Sequence, residues 1–136
     1  MTTTVALRVA RYGEAIYAVV AIILAFGLPL PPRGPGVVLF AHWLGTALLS
    51  AAICLRLGKP NRQTWYVAAL LAGYVLFNAA IAILRLVGPS STTLGRPTLA
   101  ALGVGGLLWV TQLVVAACLY QAREVRTMPS TALRRR

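Results

Sequence analysis

Acidic residues are almost missing from this sequence of 136 residues, which has 2 Asp and Glu against 13 Lys and Arg. Only 11% of the residues are charged, whereas 59% are hydrophobic. A soluble domain is about a quarter charged, so a chain with so few charges could not cover its apolar surface in water. The scarcity of charge therefore excludes a soluble globular protein and predicts an integral membrane protein built as one unit.

The side chains that usually bind metals are also scarce. The chain has 2 cysteines, Cys54 and Cys118, and 1 histidine, His42. No CxxC pair or Cys/His cluster is present, so we predict no metal site. A single histidine cannot supply both axial ligands of a bis-histidine haem site, and we predict no cofactor.

Long uncharged runs are what the sequence contains instead. Four runs are separated by short segments rich in Pro, Gly and Arg, and each run can cross about 30 Å of hydrocarbon as a helix. The predicted spans are residues 12–30, 37–57, 63–87 and 97–122, in a single transmembrane domain over residues 1–122. A basic, disordered tail is predicted over residues 123–136. The first run could instead be a signal peptide, but the PLPPRGPG segment that follows is a poor cleavage site.

The basic residues predict how the chain crosses the membrane. With the N-terminus inside, ten of the 13 basic residues lie on the inner side, and only Arg33, Arg85 and Arg96 lie outside. This asymmetry favours N- and C-termini that are both cytoplasmic. We therefore expect an all-α protein of the cell (inner) membrane, with four transmembrane helices as two antiparallel hairpins. Because the arginines bracket apolar runs, the expected partner is the lipid bilayer and not nucleic acid.

Polar side chains inside the spans are the candidate binding residues. In the second span they recur every four residues and share one face of the helix, and the third and fourth spans each carry a similar stripe. Such stripes predict contacts with other helices, a cavity or a partner, because lipid offers polar groups no hydrogen bonds. The candidates are His42, Thr46, Ser50, Tyr74, Asn78, Arg85 and Gln112.

Depth along each helix predicts two tiers of these residues. At a rise of about 1.5 Å per residue, the outer tier contains His42, Asn78 and Arg85. The inner tier contains Ser50, Tyr74 and Gln112, with Thr46 between the tiers. Separate pairs of small residues predict helix-packing faces, namely Ala41/Gly45, Ala69/Gly73 and Ala101/Gly105.

Glu14 is the only acidic residue in the predicted spans. Its position predicts a place at the cytoplasmic edge of the first helix, three residues after Arg11. The plain interpretation is an i,i+3 ion pair with Arg11. The alternative is a carboxylate that couples transport to protons.

Three functions from different classes fit these patterns. The most favoured is a non-catalytic subunit that stabilises a larger membrane complex, bound to a membrane protein partner or to copies of itself. The second is a small oligomeric transporter that uses Glu14. The third is an intramembrane enzyme, an isomerase or cyclase, acting on a lipophilic substrate. His42 would be its acid/base, and Asn78, Arg85 or Tyr74 would polarise an oxygen. An enzyme is the least favoured, because the sequence offers no set of nucleophile, base and orienting residue.

Overall fold

The computed structural model describes residues 2–27, 35–59, 61–87 and 99–126, and only the backbone at residues 35, 85–87 and 99–102. The described chain consists of α1 (Thr3–Gly27), α2 (Pro35–Arg56), α3 (Arg62–Val87), α4 (Leu99–Gln121) and the 3-10 turn η1 (Arg123–Arg126). All four long helices contain a stretch long and apolar enough to span a membrane. The prediction of an all-α chain with four such helices is confirmed. Arg33 and Arg96, which were assigned to the outer loops, lie outside the described residues.

Helix α1 begins well before the predicted first span. It starts at Thr3 and runs through Arg8 and Arg11, whereas the hydrophobic pattern predicted a start near residue 12. Charged residues end a hydrocarbon-spanning run, but they do not end a helix. The extra turns are held by packing, since Ala6 and Ala10 are fully buried.

The four long helices pack as a bundle in which α1 has the largest contacts. Helix α1 packs extensively against α2 and α4, and α3 packs against α4. Among these neighbours the α2–α3 contact is the smallest. Helix α1 therefore forms the centre of the core, and the α2–α3 seam is the weakest side.

Alanines occupy many of the buried positions of the bundle, beside larger side chains such as Leu108 and Leu119. Ala10, Ala21, Ala47 and Ala68 are fully buried. Many other large apolar side chains are exposed, including Phe26, Leu48, Leu55, Leu70, Phe77 and Leu84. A bilayer solvates large apolar groups, whereas small residues let helix backbones approach closely. This distribution is the one expected of helices surrounded by lipid.

Only part of the small-residue pairs predicted as packing faces is packed inside this bundle. Ala41, Gly45 and Gly73 are exposed, and a Cβ placed on either glycine would meet no other atom within 4 Å. Ala69 is partly buried and packs against the core. Gly105 faces the Trp109 ring of its own helix, and the side chain of Ala101 lies outside the described part of the structure. The prediction was wrong for Ala41/Gly45, because sequence spacing shows which residues share a face, but not which face the fold buries.

The chain does not become irregular immediately after α4. Val125 in η1 is buried, and η1 contacts α3. The segment predicted as a disordered tail therefore begins with one ordered turn. The remainder of that predicted tail, residues 127–136, lies outside the described residues.

Candidate functional site

Glu14 lies in the bundle interior, with its side chain fully buried. It is near the middle of α1, 11 residues from Thr3 and 13 from Gly27, so about 16 Å of helix separates it from the nearer end. The helix extends beyond the predicted span through Arg8 and Arg11, and these charged turns can lie outside the hydrocarbon. The structure thus shows that the bundle buries Glu14, and its position at the cytoplasmic edge of the membrane stays a prediction.

Two other helices place polar side chains on Glu14. Ser50 Oγ from α2 donates to the main-chain oxygen of Glu14 at 2.9 Å and also hydrogen-bonds the carboxylate Oε2. Gln112 Nε2 from α4 donates to the same Oε2 at 3.4 Å. Ser50 and Gln112 are themselves fully buried. The structure thus brings together two residues of the predicted inner tier, around an acid that was not assigned to that tier.

The expected ion pair with Arg11 does not form among the described residues. The Arg11 guanidinium lies beside Gly58, at the end of the bundle where α2 and α3 are connected. In the described part of the chain, no Lys, Arg or His side chain bonds to Glu14. The carboxylate is therefore buried with hydrogen-bond donors but without a countercharge.

Two buried oxygen atoms at this site have no hydrogen-bond partner among the described residues. Glu14 Oε1 and Gln112 Oε1 are both buried without a partner, and both are acceptors. The Ser50 hydroxyl has one proton to donate, yet it lies against two oxygens of Glu14. A proton on the carboxylate would let Ser50 donate to the main-chain oxygen while it accepts from Oε2. The hydrogen bonds of this site are therefore compatible with one additional proton on the Glu14 carboxylate.

A second polar group lies toward the other end of α2. His42 Nδ1 and the Tyr74 hydroxyl share a hydrogen bond of 2.8 Å, and the His42 ring packs edge-on against Trp43. Tyr74 was predicted to lie in the inner tier with Ser50 and Gln112. It pairs with outer-tier His42 instead, because depths counted from assumed helix edges ignore how neighbouring helices are staggered.

Asn78 and Thr46 each bond to the main chain of their own helix. Asn78 Nδ2 donates to the Tyr74 main-chain oxygen at 2.8 Å, and Thr46 Oγ1 donates to the His42 main-chain oxygen at 2.9 Å. These two bonds do not join helices, but the Thr46 side chain also interacts with Tyr17 of α1. Arg85 belongs to α3, but its side chain lies outside the described part of the structure, so its place in the outer tier stays a prediction.

A small cavity next to His42 is lined by residues from all four helices. Its volume is about 30 Å³, enough for one water molecule. The lining residues are Tyr17, His42, Trp43, Val75, Asn78, Leu108 and Trp109. Two predicted outer-tier residues, His42 and Asn78, are thus brought together at this cavity.

Tyr17 lies between the cavity and Glu14 and was missed in the sequence. Its side chain is buried, interacts with that of Thr46 and lines the cavity. The available signal was its spacing of three residues from Glu14, which puts both on one face of α1. Polar side chains consequently run along the interior from Glu14 past Tyr17 to His42.

The four apolar helices place this chain in the class of small multi-pass membrane proteins. The carboxylate of Glu14 is buried in the interior of the bundle. No family model matches the chain, and searches of curated proteins and of solved structures find no match either. The functional argument therefore rests on the site.

Proposed function

We propose that this protein is a proton-linked membrane transporter that works as an oligomer, with Glu14 as the proton-binding group. The observation that carries the proposal is the burial of Glu14 between Ser50 and Gln112, with no countercharge among the described side chains. Ionisable groups inside membrane bundles are costly, and they typically mark ion or proton pathways. This function ranks above the subunit role once the acid is placed in the interior.

Polar side chains that follow one another inside the bundle support a route for protons. They begin at Glu14 and continue through Tyr17 and the small cavity to the bonded pair of His42 and Tyr74. Hydroxyl, imidazole and water groups can both donate and accept protons. Tyr74 is 46% exposed, so the line ends at the bundle surface, on the α2–α3 side.

The proposed topology is two antiparallel hairpins with both termini in the cytoplasm, in the inner membrane. Two pairs of contacts support opposite directions for α1 and α2: Glu14 meets Ser50, and Phe26 meets Phe40 with ring centroids 5.5 Å apart. The strong excess of basic residues at one end supports the orientation.

An oligomer is proposed because one bundle encloses too little space for a solute. Its interior cavity of about 30 Å³ holds no more than a water molecule. Glycines on the outer surface, Gly45 on α2 and Gly73 on α3, allow close approach of another helix. A pathway between copies of the chain would pass the exposed Tyr74.

The same outward glycines favour a second candidate function, the stabilising subunit of a larger membrane complex. In that case the glycine faces of α2 and α3 would contact a different membrane protein. Gly73→Leu should then abolish stoichiometric co-purification of that protein in mild detergent. Substitution of the neighbouring lipid-facing Leu70 by valine should leave it intact.

Proton flux into liposomes tests the main proposal. The purified chain is reconstituted, an inward proton gradient is imposed together with a potassium–valinomycin potential, and an internal pH dye is followed. Glu14→Gln keeps the shape of the side chain and an oxygen for Ser50, so the fold should be retained while the flux falls to that of empty liposomes. Glu124→Gln removes the only other acid and is the matched control, with flux expected to stay at the wild-type rate.

Two results would contradict the transporter. Wild-type flux no greater than that of empty liposomes would leave the subunit role as the better explanation. Equal flux in wild type and Glu14→Gln would remove Glu14 from the proton route.

A further inference from the structure

The connection between α2 and α3 forms an open cleft at the arginine-rich end of the bundle. Its volume is about 420 Å³, within the range of small-molecule sites. The lining residues are Leu55, Arg56, Gly58, Lys59, Asn61 and Thr64. None of them contacts Glu14 or lines the cavity beside His42, so the cleft is separate from the proton site.

Thr64 distinguishes this cleft from an ordinary basic surface loop. It lines the cleft, it is only 3% exposed, and its Oγ1 has no hydrogen-bond partner among the described residues. A buried hydroxyl without a partner is unfavourable, and such groups are usually satisfied by water or by a ligand. The unpaired hydroxyl therefore indicates a polar occupant.

The charges around the cleft indicate the sign of that occupant. Arg56 and Lys59 are part of its wall. Arg11 adds a third cation nearby, because its Nη1 lies 3.4 Å from the position that a Cβ on Gly58 would take. No acidic residue lines the cleft. An anion would be attracted from several directions.

The start of α3 adds a further attraction for anions. Asn61 Oδ1 accepts from the Thr64 main-chain N–H at 2.7 Å, and the Trp65 N–H donates to the Asn61 main-chain oxygen at 3.0 Å. These bonds fix the first turn of a helix of 26 residues. The N-terminus of such a helix carries partial positive charge, and phosphate groups bind at these ends.

We propose that this cleft binds a phosphate group and that the phosphate belongs to the headgroup of an anionic phospholipid. Arg56 and Lys59 would pair with its charge, and Thr64 would donate a hydrogen bond to it. The lipid source follows from position, since the cleft lies where α2 ends and α3 begins, at headgroup level for two spanning helices. Leu55 at the cleft is 75% exposed and can contact an acyl chain.

Native mass spectrometry of the purified chain in mild detergent tests this site. The protein is titrated with phosphatidylglycerol, with phosphatidylcholine, and with inorganic phosphate as a competitor. Phosphatidylglycerol should bind at least about tenfold more tightly than phosphatidylcholine, and inorganic phosphate should not displace it. Arg56→Gln/Lys59→Gln should weaken phosphatidylglycerol about thirtyfold, as expected for two basic residues near an anionic headgroup.

The control variant separates a built site from general attraction to positive charge. Arg134→Gln/Arg135→Gln removes the same charge from the end of the chain and should change the affinity less than about twofold. Thr64→Val should weaken phosphatidylglycerol binding roughly fivefold without lowering the melting temperature, because the hydroxyl has no partner in the described part of the chain.

Three outcomes would overturn the proposal. Equal affinity for the two lipids would show that the headgroup charge is not recognised. A loss in the Arg134/Arg135 variant as large as that in the Arg56/Lys59 variant would show charge attraction without a site. Displacement of the lipid by inorganic phosphate would make free phosphate the ligand and remove the lipid from the assignment.

Discussion

Gly13 on α1 lies so close to Val115 on α4 that a Cβ at Gly13 would be 2.5 Å from Val115 Cγ2. Val115 is fully buried, and a β-branched side chain has little freedom to move aside. The absence of a side chain at Gly13 therefore permits the close contact of α1 with α4. That contact also brings Gln112 to the neighbouring residue Glu14.

Gly13→Ala should destabilise the protein by about 1–2 kcal/mol, because overpacking of a rigid core costs more than the gain in helix propensity. Unfolding of the detergent-solubilised protein measures the change. Val115→Ala should relieve the clash, so the double variant should be more stable than the sum of the two single changes predicts. Gly103→Ala is the matched control, since open space beside Gly103 makes it neutral or stabilising. Equal losses for Gly13 and Gly103 would contradict the contact.

Ser50→Ala should lower the free energy of unfolding by about 1–3 kcal/mol, because it removes the hydroxyl that bonds to Glu14 in a buried site. The same substitution should cost less when Glu14 is already replaced by leucine, and a double-mutant cycle measures this coupling. Thr111→Val is a suitable control, because the Thr111 hydroxyl bonds only to a carbonyl of its own helix. Additive effects of the Ser50 and Glu14 changes would argue against their interaction.

The bond between His42 and Tyr74 has a direct spectroscopic test, because the chain has 1 histidine. With ¹⁵N-labelled histidine, the Nδ1 resonance should shift in Tyr74→Phe, which removes the hydroxyl that lies 2.8 Å away. Asn78→Ala should leave the resonance in place, since the Asn78 amide bonds to the Tyr74 main chain. An unchanged Nδ1 signal in Tyr74→Phe would show that the two side chains are not bonded.

Trp65 should stabilise the last turn of α4. Its indole Nε1 donates to the Leu119 main-chain oxygen at 3.0 Å, and Leu119 is within the final four residues of the helix, whose carbonyls lack intrahelical partners. Trp65→Phe should cost about 1 kcal/mol and speed amide hydrogen exchange around residues 119–125. Trp109→Phe should not speed exchange there. Unaltered exchange in Trp65→Phe would mean that the bond does not hold this turn.

The fold was predictable from the sequence to a considerable extent. Spans three and four, at residues 63–87 and 97–122, lie within about two residues of α3 and α4 at each end. The length and hydrophobicity of each run are sufficient for this, because a bilayer requires about 20 apolar residues and satisfies the backbone only as a helix. The start of α1 at Thr3 was missed because hydropathy shows which residues can lie in the hydrocarbon, not where the helix begins.

The candidate site was only partly predictable. Ser50 and Gln112 were assigned to one tier, and both bond to the same oxygen of Glu14. Glu14 itself was not assigned to that tier. Tyr74 was assigned to that tier and pairs with His42. Depth estimates of this kind assume that all helices start at a common plane, whereas the stagger between helices depends on how their surfaces fit.

The sequence by itself determined that this is a membrane protein of four helices, and it determined which residues share a face of each helix. Both follow from local quantities, namely hydrophobic length and helical period. Only the tertiary structure decided which faces turn inward, and it turned Glu14, Ser50 and Gln112 inward and Gly45 and Gly73 outward. The reason is that these helices are apolar on nearly every side, so lipid exerts little preference on their rotation. Close packing, as between Gly13 and Val115, makes that choice.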